Sequence, residues 1–542
     1  MSSIKPTAAF GAYLFLSTFG LLAHANELAA TPSPDTRTVE AAPTAAVLSP
    51  LKIAIQQQLG NGASKAIDKA DRAAVAAYYT EPDSIAVWVA EGRFTPRAIS
   101  AVEEIRRAGD WGLAPSSFDI PDITETLATP EAQAAAELWT SLAVLKYARH
   151  ARGGRIDLGL LGRNVDQKPP VIDPKTVLLG IATTSDAAAY LRGLHPKHPQ
   201  FEKLRQALLS ARSTPAASLS AQLVPEPTGK SARGSARAKP PGDASQRILV
   251  NMERWRWLPE ELGNFHVWDN IPEYRMRVMK EGKVAHTETI IVGKPSTPTP
   301  IFSADMKYVI FHPTWGVPDG IKVNEIAPSL RRSSSIWGGS DPAILRRHDL
   351  RVSYNGRPVD PSSVNWESVD IRSFQFTQPP SSSNVLGVVK FRFPNKHDVY
   401  MHDTPEKELF SRTEKAFSHG CMRVKNPRRL AEVLLAEDKG WSSAQVGNAI
   451  AGGSTQEVTL TKQVPVHVTY FTAVVDDDGQ LKTFADLYGH DSRVFAALEG
   501  RPIKLIAQSD PSAREVRRSP AKAYRPANDG GLASIFSGLF GN

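Results

Sequence analysis

The 542-residue chain is almost without cysteine, and Cys421 is its only one. No intrachain disulfide can form, and structural zinc sites built on paired cysteines are excluded. HExxH and CxxC patterns are absent too, so no common zinc signature is present. Long apolar runs are also missing. The stretch from Ala8 to Leu22 falls short of the roughly 20 residues that span a bilayer. The net charge is +8, but Lys230, Arg233, Arg237 and Lys239 crowd into a Pro/Ser/Ala-rich stretch. They read as a solvated linker and not as a nucleic-acid surface.

What remains is ordinary for a folded protein, with 41% hydrophobic and 22% charged residues. At about 150 residues per domain, the length predicts two or three folded units joined by linkers. Lys5, the first apolar stretch and Ala23-His24-Ala25 predict a secretory signal peptide over 1–25. An uncleaved anchor is the rival reading. Residues 26–47, rich in Ala, Pro and Thr, read as a flexible leader.

From 48 to 212 the pattern is helical. Thr95-Pro96 and Thr129-Pro130 each supply an N-cap and a first-turn proline. Apolar residues follow on one face: Ala98, Val102 and Ile105, then Leu138, Leu142 and Leu145, and later Phe201, Leu204 and Leu208. Residues 213–246 contain no aromatic residue and predict a disordered linker. Beyond it the period changes to two, as in Tyr274, Met276 and Val278 before the turn Glu281-Gly282. Strand-like runs continue at 308–311, 388–393, 399–402 and 466–471. Between 316 and 385 the sequence is irregular and Ser/Pro-rich, with Trp337 and Trp366 as apolar anchors. This stretch is read as a lid-like insertion, against a plain surface excursion. Asn426-Pro427 starts a helix that runs to Gly440. Residues 501–542 form a polar, Pro-rich tail that is read as disordered. The fold class is therefore α+β multidomain: a helical N-terminal domain, then a mostly-β domain over 247–500.

The chemistry concentrates in residues 399–424, VYMHDTPEKELFSRTEKAFSHGCMRV. Together with His397, the donors His402, Asp403, His419 and Cys421 could hold a metal, but their spacing matches no common pattern. A buried inert thiol is a second reading. The third is a nucleophile whose thiolate is stabilised by an imidazolium and by backbone N–H groups, lowering the thiol pKa from roughly 8.5. Gly420 permits the tight turn that aims amides at an oxyanion. This third reading accounts best for Gly, Ser, His and Cys in one polar turn.

The run HDTP followed by SHGCMRV resembles the catalytic signature of the L,D-transpeptidases of the YkuD type. VNMERWRWLP at 250–259, GKPSTPTP at 293–300, HPTWGVP at 312–318 and NVLGVVKF at 384–391 resemble the same catalytic half, and WVAEGRFTPRA and GDWGLAP resemble the scaffold domain of the large, two-part members. The resemblance implies Cys421 as nucleophile and His402 as general base and acid, its ring oriented by a backbone carbonyl near Asp403. It implies an oxyanion turn of His419, Gly420 and Cys421, and anchoring of substrate or loop by Arg423, Asp403 and Ser418. No cofactor or metal is implied. The substrates would be peptidoglycan stem peptides as donor and acceptor, with an outer-membrane protein as another acceptor, in the periplasm. There is no nucleic-acid partner and no transmembrane span after signal removal. Hydrolysis of the same thioester would give an L,D-carboxypeptidase, and loss of chemistry a wall-binding scaffold. Two departures stand out: the linker 213–246 takes the place of a peptidoglycan-binding module, and QPPSSSN at 378–384 has serines where relatives carry glycine.

Overall fold

Threonine followed by proline starts two helices of the N-terminal half. Thr95 accepts the Ala98 N–H at 3.1 Å and opens helix Pro96–Arg106, while Thr129 accepts the Ala132 N–H at 3.2 Å and opens helix Pro130–Gly153. In this computed structural model, residues 49–59, 66–81, 83–213, 244–332 and 343–503 are described. The predicted signal peptide and leader, almost all of the linker and the tail, and Trp337 lie outside them. Further helices at Pro174–Thr183 and Ala187–Gly193 close a core that includes Tyr79, Trp88, Ile105, Leu138, Tyr147, Ile181 and Leu191. A short hairpin, Val89–Ala90 with Arg93–Phe94, interrupts the helices. The buried Glu137 carboxylate holds its start by accepting the Trp88 and Val89 N–H groups at 2.9 and 2.8 Å.

Helix Pro199–Ser213 packs on helix Ala244–Trp255 through Phe201, Leu204, Leu208, Ile248, Met252 and Trp255. The second of these helices begins inside 213–246, so the last residues of the predicted linker are helical. The apolar face that starts at Ile248 explains why.

The second half is a closed barrel. Its strands are β1 (Phe265–Asn270), β2 (Arg275–Lys280), β3 (Lys283–Gly293), β4 (Phe302–Phe311), β5 (Val389–Arg392), β6 (Met401–His402), β7 (Ala416–Ser418), β8 (Met422–Val424) and β9 (Gln456–Thr469). The order is β7-β3-β8-β6-β5-β4-β9-β1-β2, and a further β2–β3 pairing closes the ring. Glu281 and Gly282, with φ of 52° and 75°, make the tight β2–β3 hairpin. Strand β3 then changes partners, running beside β2, then β8, then β7. Inside lie Val278, Ile290, Val309, Phe391, Met401, Met422 and Val466, with Leu430 and Leu434 from helix Pro427–Lys439 over them. Asn426 caps that helix, and Gly440, with φ of 67°, ends it.

Residues 156–165 of the helical half add Ile156, Leu161 and Val165 to the barrel core, and Val165 bridges Ile301. Asp166 takes Lys396 at 2.7 Å and His397 at 2.9 Å. The Ser/Pro-rich insertion is not irregular throughout. Val317, Leu330, Val352, Trp366, Phe374 and Phe376 form a core of its own beneath a four-stranded sheet. Short strands and an apolar core spread over some sixty residues conceal this unit from local pattern reading. No helix among the described residues is long and apolar enough to cross a membrane.

Candidate active site

Met401 and Met422 stand opposite each other in the parallel β6–β8 pair, both sealed in the barrel core. Strand alternation turns their neighbours outward: Tyr400 and His402 on one side, Cys421 and Arg423 on the other. Lys390 of β5, opposite His402, joins the same outer face. His402 pairs with Arg423 in register, so imidazole and thiol sit on diagonal positions, roughly 8 Å apart at Cα by strand spacing and rise.

The His402 ring is buried, and its Nδ1 lies 2.5 Å from the Asp403 carbonyl oxygen. A carbonyl only accepts, so Nδ1 carries the hydrogen and Nε2 keeps its lone pair. Burial pushes the imidazole down to about 3, with the Arg423 guanidinium adding to the effect. The Cys421 thiol donates to the Asp398 carbonyl at 3.7 Å and receives the amide and hydroxyl of Tyr400. Burial pushes this thiol up to about 11, against the opposing pull of the Tyr400 donors and the Lys390 ammonium. The thiol is thus shifted upward, opposite to the lowering expected from the sequence. Desolvation outweighs the local donors and favours the uncharged form of each group.

Ser418 braces the turn before the thiol. Its Oγ donates to the Cys421 carbonyl at 2.6 Å and accepts the Gly420 N–H at 3.2 Å. Gly420 has φ of 119°, which L side chains rarely adopt. Its amide is given to the Ser418 hydroxyl. The loop after β3 fastens the turn from outside. Thr299 Oγ1 donates to the Gly420 carbonyl at 2.7 Å and accepts the Gly293 N–H at 2.8 Å. Thr297 Oγ1 donates to the Ser418 carbonyl at 3.2 Å. Tyr488 Oη in turn donates to the Gly293 carbonyl at 2.6 Å and accepts the Thr299 N–H at 3.2 Å.

The remaining predicted residues are dispersed. Asp403 is buried. Its carboxylate accepts the Thr404 N–H at 2.7 Å and the Val388 N–H at 2.9 Å, and pairs with Lys407. A Cβ at Gly387 would come within 2.3 Å of that carboxylate, which explains the glycine there. Arg423 is paired with Glu406. His419 points away from the thiol: its Nε2 meets Glu325 of the insertion at 2.5 Å and the Lys294 ammonium at 3.1 Å. The insertion thus reaches the turn that carries Cys421. Among the described residues, no group of three or more His, Cys, Asp or Glu side chains could hold a metal ion.

Tyr400, Lys390, Thr299 and Glu325 escaped the sequence reading. Tyr400 was within reach, since it sits two residues before His402 and alternation puts both on one face. Thr297 and Thr299 lie in the GKPSTPTP segment, but their partner is more than a hundred residues away.

Residues 73–208 match the scaffold domain family, and residues 264–459 match the L,D-transpeptidase catalytic domain family. A Haemophilus influenzae protein provisionally named an L,D-transpeptidase is 29% identical over 253 residues, 46% of this chain and 49% of that one. The match thus spans about half the length of this relative. Solved structures that align include an L,D-transpeptidase from Mycobacterium smegmatis, 14% identical over 38% of this chain and 58% of that one, at a TM-score of 0.17. L,D-transpeptidase 1 of Mycobacterium tuberculosis aligns at 15% identity over 38% and 61%, at a TM-score of 0.15. At these scores the structural likeness adds nothing to the sequence matches.

Proposed function

The chain belongs to the L,D-transpeptidase family, with a YkuD catalytic domain behind a scaffold domain, and on that premise we propose that it cross-links peptidoglycan stem peptides through a thioester on Cys421. The sulfur attacks the carbonyl between the third and fourth residues of a donor tetrapeptide. As the C–S bond forms, the thiol proton passes to Nε2 of His402 and on to the leaving nitrogen, and the C–N bond breaks. A terminal D-amino acid departs. An amine from a neighbouring stem then attacks the thioester, its proton returns through His402 to sulfur, and an amide joins two stems.

The observation that carries this reading is the shared outer face of the Cys421 thiol and a His402 ring anchored through Nδ1. That anchoring leaves Nε2 as the acceptor general-base catalysis requires. Neutral resting groups suit a lone thiol in an oxidising compartment, because the thiol form is a poor nucleophile until a carbonyl is in place. Peptidoglycan lies outside the cytoplasmic membrane, so we place the mature protein in the periplasm, exported by residues 1–25. Aminoterminal sequencing of the protein from a periplasmic fraction tests this, and a start at Met1 or at Ser2 contradicts it.

The test of function uses purified protein with a disaccharide tetrapeptide and product analysis by mass. Cross-linked dimer and free D-amino acid are expected, and both vanish in Cys421→Ala. Trimmed tripeptide without dimer assigns the thioester to water and makes the protein a carboxypeptidase. No turnover of the donor at all, alongside saturable binding to sacculi, reduces it to a wall-binding scaffold.

A further inference from the structure

Four cationic side chains stand near the site: Lys390, Lys407 and Arg423 act on His402, and Lys294 contacts His419. Three are engaged: Arg423 with Glu406, Lys407 with Asp403, and Lys294 with the His419 ring. Lys390 differs from all of them. Its ammonium lies 3.8 Å from the centre of the Tyr400 ring, and among the described residues no carboxylate forms an ion pair with it. It is half-buried on β5, directly across from His402, and Tyr400 is the residue whose amide and hydroxyl reach the Cys421 sulfur. A partly desolvated ammonium that makes no ion pair, with only the Asp398 carboxylate acting on it from a distance, is beside Cys421 and open to an anion of the substrate.

We propose that Lys390 binds the free carboxylate of the departing D-residue of the donor and thereby restricts the enzyme to cleavage one residue from a chain end. The inference rests on the stem-peptide reading given above. In a stem tetrapeptide the terminal carboxylate is separated from the attacked carbonyl carbon by one nitrogen and one Cα, about 3–4 Å by bond lengths. The charge that would engage it must therefore sit beside the thiol, and Lys390 is the cation placed there without an ion pair. Arg423, by contrast, is already paired with Glu406. The aromatic ring beneath the ammonium favours the cation without neutralising it, so the charge stays available to a carboxylate.

The experiment compares two donors with the full chain: a tetrapeptide ending in a free carboxylate and the same peptide ending in a primary amide. The wild type is expected to prefer the carboxylate in kcat/KM by about 10- to 100-fold, the range of one charge-assisted contact. Lys390→Met collapses that preference to within about threefold, and Lys390→Arg restores most of it. Circular dichroism and stoichiometric alkylation of Cys421 by iodoacetamide establish that each variant is folded with its thiol accessible. A carboxylate preference that survives in folded Lys390→Met overturns the assignment. A wild type that uses both donors equally overturns it too, while a wild type that turns over neither overturns the functional reading beneath it.

Discussion

Nδ1 of His402 donates to the main-chain oxygen of Asp403, the next residue along the same chain, and not to a side-chain carboxylate. The orienting group is therefore fixed by the backbone path of β6 and cannot be removed by changing a side chain. The Asp403 carboxylate is occupied elsewhere, on Val388, Thr404 and Lys407. Asp403→Asn accordingly leaves the ring orientation in place and acts on the seating of β5. Its expected signature is lowered thermal stability, by about 1–3 kcal/mol for a buried acceptor with lost partners, with the pH profile of turnover unchanged. A shifted profile measured over pH 5 to 9 contradicts this.

The pH behaviour of the thiol follows from its burial. A thiol held at about 11 has a thiolate fraction that grows about tenfold per pH unit throughout the neutral range. Alkylation of Cys421 by iodoacetamide is therefore expected to be slow at pH 7 and still rising beyond pH 9. A plateau reached by neutral pH indicates a preformed ion pair and contradicts the neutral resting state.

Stability responds to acid through the same buried rings. His402 and His150 are pushed down to about 3, His198 and His467 to about 4, all primarily by burial. Their folded pKa values lie below the unfolded value of roughly 6.5, so the unfolded chain takes up protons first and stability falls as pH drops through about 6 towards 3. Asp269, raised to about 8 by complete burial, works in the opposite direction. Its contribution is present at low pH and is lost as pH rises from about 4 through 8. In Asp269→Asn the urea midpoint should consequently fall more steeply on acidification from pH 7.5 to pH 5 than in the wild type. An identical dependence in both proteins contradicts the assignment of Asp269.

Thr299 clamps the turn before Cys421. Thr299→Val keeps the shape but removes the partner of the Gly420 carbonyl and of the Gly293 amide. Acylation is expected to slow by about tenfold or more as the turn loosens, with a stability cost of about 1–3 kcal/mol. Acylation at the wild-type rate shows that Ser418 alone suffices to hold the turn.

Glu325 connects the insertion to His419 and sits close to Lys294. Because these groups are partly exposed, the contact is modest and screened by salt. Glu325→Gln should raise labelling of Cys421 by a bulky maleimide up to about fivefold relative to iodoacetamide, with the difference shrinking at high salt. Equal labelling ratios in both proteins show that the insertion does not gate the thiol.

Local chemistry made part of this molecule legible in its sequence. Thr95, Thr129 and Asn426 announce their helices because a cap and a first-turn proline act within four residues. Glu281-Gly282 announces its hairpin for the same reason. The solitary cysteine in the turn His419-Gly420-Cys421, downstream of His402, marked the candidate site. What stayed hidden depends on pairing across long separations. The parallel register of β6 with β8 decides that positions 402 and 421 share a face, and no local pattern encodes register between strands. The core of the insertion, from Val317 to Phe376, is dispersed through a Ser/Pro-rich background. Thr299 and Lys390 lie on a loop and a strand that the fold alone brings near the cysteine.

The most direct measurement is the intact mass of the protein after brief exposure to a disaccharide tetrapeptide, for the wild type, Cys421→Ala and His402→Ala. A mass increase equal to the donor less its terminal D-amino acid is expected in the wild type. It should be absent in Cys421→Ala and slower by about 100-fold or more in His402→Ala. An adduct that persists without Cys421, or forms at an unchanged rate without His402, contradicts the account.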